Sequence, residues 1–500
     1  MIRILHTADI HLGVETFGYT RENGINSRIS DYLAMLDSLV SVAVTQKYDA
    51  FLIAGDIFEN ERPSNYVVTE FSKRIRSLLD GGVAVIITPG NHETSSSARV
   101  PSVLEIIRAL KPSKADNPDI ACHVIGSQPK SPGDMPTLGN LCQIPTRSGL
   151  LQVLAMPYPR RSEILTSDEL KNQKSREEAK NLAAVKYLDR TEELARKALP
   201  ELPSIFVGHF GIKEAQMQPG RLGYLAEDVV FSAFDIMNAL SKSKAVFTYI
   251  ALGHYHNPQM PTPNLTESVE IEDLDGNLQK ISGINLDKVY KYSDFSTIEP
   301  PEDNLFGLKK PVKFIPDVYS GSPARRDFTD GTIPRKFVDL EVSETDAVIR
   351  FEDIDASRSL RQLTLESPEN WQLQLEEKFI RSSFWGRAFQ TSLNGESPDS
   401  IERLLGSPLP IFRLRIPDSA RTVWPSIKKW LESLGMFDQV RMYSQPVAKE
   451  TKTHTISVAE SPVDAVRRYV SSQDDDFYKA NREEILKTAQ EILQKSGAVQ

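Results

Sequence analysis

Ile2-Arg3-Ile4-Leu5-His6-Thr7-Ala8-Asp9-Ile10-His11 sets an apolar, strand-like run directly before an aspartate and a histidine two positions apart. The same pattern recurs four times further along. Apolar runs lead into Gly55-Asp56, Gly90-Asn91-His92-Glu93, Gly208-His209 and Gly253-His254-Tyr255-His256. Between the early runs the apolar period lengthens to that of helices. Ile29, Leu33, Leu36 and Val40 line a helix over 27–46, and Val67, Phe71, Ile75 and Leu78 line one that Pro63 opens and Gly81-Gly82 closes. All-apolar strands alternating with amphipathic helices predict a layered α/β domain with buried sheets. Polar residues just beyond strand ends stand where such sheets usually carry their sites.

The residue types in these segments point to metal chemistry. Only eight histidines occur in 500 residues. His11, His92, His209, His254 and His256 all fall within the five segments. Asp9 and Asp56 add carboxylates, and Asn91 a neutral carbonyl oxygen. A phosphodiester is a poor electrophile because its anionic oxygens repel the nucleophile, and a pair of divalent cations relieves that repulsion and acidifies a bound water. Asp56, on a glycine turn after the 51–54 strand, is the best candidate to bridge two ions. Asp9 and His11 share a side if the backbone there is extended, and His254 and His256 have the same spacing. Nitrogen and oxygen ligands without thiolate suit manganese, iron, zinc or magnesium. His92, next to Asn91, suits a proton donor or a hydrogen-bond donor to the transition state. Each segment alone reads as an ordinary turn; five in order do not.

The chain continues with a strand at 150–156, a long charged helix over about 162–198 stopped by Pro200 and Pro203, and strands at 204–207 and 246–252. Prolines bracket a polar insertion, 262–317, with one hairpin turning at Asp275-Gly276. We expect this insertion to be a surface excursion. The metal domain then closes near 335. Residues 336–455 read as a small α+β unit with strands at 336–342, 411–416 and 440–443 and helices at 368–390 and 422–434. Residues 456–500 hold a helix pair, 462–470 and 477–493, with Ile485, Ala489, Ile492 and Leu493 at helical spacing.

Composition narrows the class. Cys122 and Cys142 form no framework and no Cys-x-x-Cys pair, which fits a reducing compartment. The first residues lack a charged segment followed by an apolar one, and no apolar stretch is long enough for a bilayer, so a cytoplasmic location is expected. A formal charge of −9 argues against nonspecific coating of nucleic acid. A nuclease remains compatible, since bound cations supply positive charge where the phosphate must sit. No G-x-x-x-x-G-K-[ST] loop is present, so any ATP use belongs to a partner.

In order, these motifs resemble those of the calcineurin-like metallophosphoesterases: D-x-H, GD, GNH[ED], GH and GHxH. The wider wording, 4–13, Gly55-Asp56-Ile57-Phe58, 250–256 and Tyr319-Ser320-Gly321-Ser322-Pro323, is similar to the SbcD branch of nuclease subunits. The resemblance implies a four-layer fold, two packed sheets flanked by helices, with a small α+β capping domain for DNA recognition at 336–455. It implies one metal held by Asp9, His11, Asp56 and His256 and another by Asp56, Asn91, His209 and His254, with His92 assisting the transition state. Manganese is the implied cofactor. A homodimer and an SbcC-like coiled-coil ABC-type ATPase, docked through 456–500, are the implied partners, and DNA in repair or recombination the substrate. Two features depart from the pattern. Glu59 stands where many members carry a histidine thought to position DNA, and 262–317 replaces a short connection. Two other functions fit the residues: a related phosphoesterase acting on nucleotides or phosphoproteins, and a DNA-end scaffold with little chemistry.

Overall fold

In the computed structural model of the chain, Ile2–Thr7 runs parallel to Ala50–Ala54, followed by Ala84–Thr88 and Cys122–Val124. On its other side it pairs antiparallel with Lys336–Val342, which leads to Ala347–Asp353 and the short Tyr290–Lys291 strand, making seven strands. A second, five-stranded sheet runs Asp317–Tyr319, Phe247–Gly253, Ser204–His209, Gly149–Met156, Asn140–Thr146, with only the last pair antiparallel. The structure describes residues 1–21, 23–93, 102–113, 119–126, 138–173, 175–215, 228–261, 267–272, 278–283, 285–302, 304–307, 309–330, 333–354, 358, 360–381, 411–416, 418–433, 440–443, 482–483 and 486–488.

Burial on both faces explains why Ala50–Ala54 and Ala84–Thr88 of the first sheet are almost wholly apolar. Ile4, Leu52 and Ile86 share a core with Val153, Phe206 and Ile250 of the second sheet. Their neighbours Leu5, Phe51, Ile53, Val85 and Ile87 pack on Leu36 of the Ser27–Thr45 helix and on Phe71 and Ile75 of the Asn65–Asp80 helix. Tyr187 of Arg176–Ala195 and Ile236 of Ala233–Leu240 cover the second sheet. The order is helix, sheet, sheet, helix. Each fully buried apolar side chain adds roughly 1.5–3 kcal/mol, enough to hold polar strand ends against each other.

Several expectations shift. The helix expected over 162–198 is three, Arg161–Ile164, Ser167–Asn172 and Arg176–Ala195. Thr166 and Ser175 each accept a backbone N–H at a helix start, so local capping overrides the continuous charge pattern. Ser64, not Pro63, caps Asn65–Asp80. Among the described residues, two strands not marked by the apolar pattern, Cys122–Val124 and Asn140–Thr146, precede the 150–156 strand. Lys336–Val342, a strand read at the start of the small unit, pairs with Ile2–Thr7 and with Ala347–Asp353 and so extends the first sheet. Lys336–Val342 fills the side of Ile2–Thr7 left open by the parallel strands. The 262–317 insertion is only in part an excursion. Its hairpin pairs Glu267–Glu272 with Leu278–Gly283, whereas Tyr290–Lys291 joins the first sheet and Tyr292, Phe295 and Ile298 pack on the main core.

The small unit is a separate parallel sheet, Leu360–Thr364, Ile411–Arg415, Val440–Tyr443. Its core of Leu363, Leu375, Phe412, Leu414, Ile427 and Leu431 includes residues of two helices, Trp371–Arg381 and Trp424–Ser433. Of the expected 368–390 helix, 368–370 form a bend and turn before Trp371, and 382–390 lie outside the described residues. So does the Asp275-Gly276 turn, and so does the terminal helix pair except 482–483 and 486–488, which are helical. Where this unit meets the metal domain, Asp31 takes a two-pronged contact from Arg358, at 2.6 and 2.8 Å, with Arg28 3.5 Å away. All three are buried. Asp31→Ala leaves two buried guanidinium groups short of a counter-ion. Denaturant unfolding should register a loss of about 3–5 kcal/mol; a loss under about 1 kcal/mol contradicts the assignment.

Candidate metal centre

The two sheets bring their polar strand ends to one place, and the backbone there is unusual. Asp9, His11, Asp56 and His254 have φ of 51°, 51°, 52° and 100°. Side chains other than glycine adopt this region at a cost of about 1–3 kcal/mol each. The extended backbone expected at 9–11 is therefore not what brings Asp9 and His11 to one side; two left-handed residues do. Neighbouring loops hold them there. Asp9 N donates to Gly55 O at 3.0 Å, His11 N to Asp56 O at 3.0 Å and Leu12 N to Ile57 O at 2.8 Å. Glu93 accepts from Asp56 N, Phe58 N and Gly90 N at 3.0, 2.8 and 3.0 Å, joining the 56–58 and 90–93 turns. Burial and the Asp56 charge push its carboxyl up to about 7 against these donors. Gly55, with φ 90°, lies where a Cβ would come within 2.1 Å of His209 Nδ1, so only glycine lets that ring approach.

All seven expected ligand residues converge. His11 Nε2 faces His256 Nε2 at 3.1 Å, with Asp9 completing a cluster whose ligand atoms lie within 4.8 Å of one another. Asp56, His209 and His254 form a second such cluster. Asn91 Oδ1 is 3.2 Å from both His209 Nε2 and His254 Nδ1. Asp56 Oδ2 lies 3.3 Å from His209 Nε2 and 3.8 Å from His11 Nε2, between the clusters. Asp9 accepts from His254 N at 2.9 and 3.1 Å, tying the two strand ends together.

The groups behind the imidazoles decide what the centre can hold. His11 Nδ1 is 3.1 Å from Glu59 Oε2, and His256 Nδ1 3.5 Å from Asp330 Oδ1. His254 Nε2 meets Asp228 Oδ2 at 2.9 Å, and Asp228 also accepts from the Tyr158 hydroxyl. His209 Nδ1 meets Ala54 O at 2.7 Å. Each acceptor favours a proton on the outer nitrogen, which would leave the inner nitrogen's lone pair for a bound cation. The inner nitrogens face one another and two carboxylates. Nitrogen donors and carboxylates crowded in a buried site are favourable only around positive charge, a shared proton or a cation, and the donor set fits divalent cations. The residues respond to the same field. Burial opposes charging His209, yet Asp56 and Asp9 push it up to about 10. Burial would raise Asp56 too, but the imidazoles of His209, His92 and His11 hold it well below the carboxylate range. Burial pushes its neighbour Asp9 upward.

His92 is set apart. Its ring lies 4.7 Å from that of His11, and its Nε2 is 4.0 Å from Asp56 Oδ2. Its side chain is 23% exposed against 1% for His11 and 0% for His209. Sequence reasoning missed Asp228, Asp330 and Tyr158, and it marked Glu59 only as a departure from the family pattern. None of the four is a motif residue, and only the folded chain puts them behind the histidines.

A family model for calcineurin-like phosphoesterases matches residues 2–258. The chain belongs to the calcineurin-like phosphoesterase family. All seven converging residues lie inside that match. The chain is 27% identical over 266 residues to the SbcD component of the SbcCD nuclease from Rhodobacter capsulatus, an alignment covering 52% of this chain and 58% of that one. It is 27% identical over 263 residues to the same component in Escherichia coli, covering 52% and 57%. The DNA double-strand break repair protein Mre11 of Aeropyrum pernix is 24% identical over 284 residues, covering 55% and 56%. The chain thus spans under three-fifths of the length of these relatives. Among the described residues no helix is long and apolar enough to cross a membrane.

His6, ahead of this calcineurin-like centre, joins the sheets through Nδ1, 2.8 Å from the Tyr249 hydroxyl. Burial lowers it to about 3. The unfolded chain, at about 6.5, therefore binds a proton that the folded chain refuses. This contribution to stability is complete above pH 6.5 and falls as pH drops towards 3, by up to about 1.4 kcal/mol per pH unit. Urea unfolding between pH 7 and 4, with chelator present, should show a shallower slope for His6→Asn. Parallel slopes would count against it.

Proposed function

We propose that the protein is a two-metal phosphodiesterase that cuts DNA, working as the nuclease subunit beside a coiled-coil ATPase of the SbcC kind. The observation that carries this reading is the ring of imidazole nitrogens and carboxylates facing inward, with His92 at its open edge. Asp9, His11, Asp56 and His256 would hold one cation, and Asp56, Asn91, His209 and His254 the other. Manganese is the ion we assign. When bound, such a pair neutralises phosphate charge and activates water. Asp56 would keep the two seats adjacent, and the outer acceptors, three carboxylates and the Ala54 carbonyl, would keep each imidazole turned inward. His92 places a proton or hydrogen bond where the leaving oxygen gains charge.

The names of the relatives, a nuclease component and a double-strand-break repair protein, support DNA as substrate. Residues from about 358 to 443 would serve as the capping unit, 456–500 as the ATPase docking segment, and a homodimer as the working form. A second reading, an esterase for nucleotides or phosphoproteins, is favoured by position 59, where glutamate stands in place of the histidine thought to position DNA. Purified protein with manganese, given end-labelled duplex and single-stranded DNA and, in parallel, bis-p-nitrophenyl phosphate, separates the two. Degradation of DNA supports the first reading. Hydrolysis of the small diester with intact DNA supports the second, and no hydrolysis of either overturns both.

A further inference from the structure

Two of the carboxylates behind the centre are joined by one short loop. Arg326 pairs through its guanidinium with Glu59 Oε1, while Glu59 Oε2 faces His11 Nδ1 at 3.1 Å. These last two atoms are buried and, at this separation, neither makes a well-directed hydrogen bond among the described residues. Four positions on, Asp330 accepts from the Arg326 backbone N–H through Oδ2, and its Oδ1 stands 3.5 Å from His256 Nδ1. His11 and His256 are the pair whose inner nitrogens meet at 3.1 Å. The other pair, His209 and His254, is backed instead by Ala54 O and Asp228, which belong to other parts of the chain. Glu59 also accepts His92 Nδ1 on its main-chain carbonyl at 2.6 Å.

We propose that 326–330 is a clamp on one half of the centre, with Glu59 and Asp330 as positioning residues that orient His11 and His256, and Arg326 as the counter-ion that holds Glu59 in place. This accounts for a carboxylate at position 59. Its charge is spent on His11 and Arg326 rather than left facing the substrate. It also follows that the two cation seats are supported independently. Groups of this kind behind a metal-binding histidine typically change affinity by about 10–100-fold when removed. The inference rests on the two-metal reading above.

The test is manganese titration of the full chain, by calorimetry and by the spin-resonance signal of free ion. The unmodified protein should bind two ions. Glu59→Ala should weaken one of them about 10–100-fold and leave the other unchanged, and Arg326→Gln should weaken the same ion by less. Asp228→Asn should instead weaken the ion that Glu59→Ala spares, shown by the double variant losing both. Circular dichroism confirms that each variant is folded. If the unmodified protein binds two ions and Glu59→Ala and Arg326→Gln bind both as tightly, the clamp is wrong and the two-metal reading stands. If both ions weaken together in Glu59→Ala, independence of the seats is wrong and so is the clamp. An unmodified protein that takes up no ion overturns the two-metal reading itself, and the clamp with it.

Discussion

Asp56→Ala is expected to abolish manganese binding at both seats and to lower phosphodiester hydrolysis by at least about a thousandfold. One oxygen, Oδ2, lies 3.3 Å from His209 Nε2 and 3.8 Å from His11 Nε2, so its loss opens both clusters at once. The other, Oδ1, accepts the His92 backbone N–H at 3.0 Å and fixes that turn. Asp56→Asn separates these roles, because it keeps an acceptor for His92 and removes the charge. It should lose the ions nearly as completely while leaving the turn intact. Thermal unfolding with and without manganese reads the binding directly. At a hundred times its dissociation constant, each bound ion stabilises the folded state by about 2.7 kcal/mol, and the variants should gain nothing. A manganese-dependent rise in melting temperature equal to that of the unmodified protein, or hydrolysis at its rate, would remove Asp56 from the centre.

The ligands are legible in the sequence because each follows an apolar run, and the strands can be placed by their buried, all-apolar character. Asp9, His11, Asp56, Asn91, His209, His254 and His256 all arrive where that pattern leads. What the pattern does not convey is how the backbone turns. Spacing suggests that Asp9 and His11 share a face of an extended strand, whereas both sit at φ 51°. That conformation depends on hydrogen bonds to the 55–57 loop, contacts more than forty residues distant. Glu93 is legible as part of a motif but not in its role, because only the fold directs three backbone donors at it. Asp228 and Asp330 lie outside the motifs and acquire meaning from the histidines they face. The strand at 336–342 is legible as a strand, but its sheet is not. Antiparallel pairing with Ile2–Thr7 joins segments more than three hundred residues apart, and alternation alone does not name a partner.

His92→Ala should leave both manganese sites within about threefold of their normal affinity and lower kcat by about 10²–10⁴-fold with little change in KM. Exposure and the partner of its ring, rather than distance, separate His92 from the proposed ligands. Its Nδ1 is committed to the Glu59 carbonyl at 2.6 Å, its Nε2 stays 4.0 Å from Asp56 Oδ2, and its ring is more exposed than those of His11 and His209. A nitrogen held that way is free to carry a proton to an oxygen that gains charge as the ester bond breaks. If that oxygen belongs to the leaving group, the defect must depend on the leaving group's own basicity. A p-nitrophenyl ester, whose phenolate departs without protonation, should lose far less from His92→Ala than an alkyl ester or DNA. An equal loss on both substrates instead assigns His92 to a phosphate oxygen, where its hydrogen bond stabilises the transition state whatever departs. Loss of an ion together with turnover would make His92 a ligand, and the distinction between it and His11 would fail.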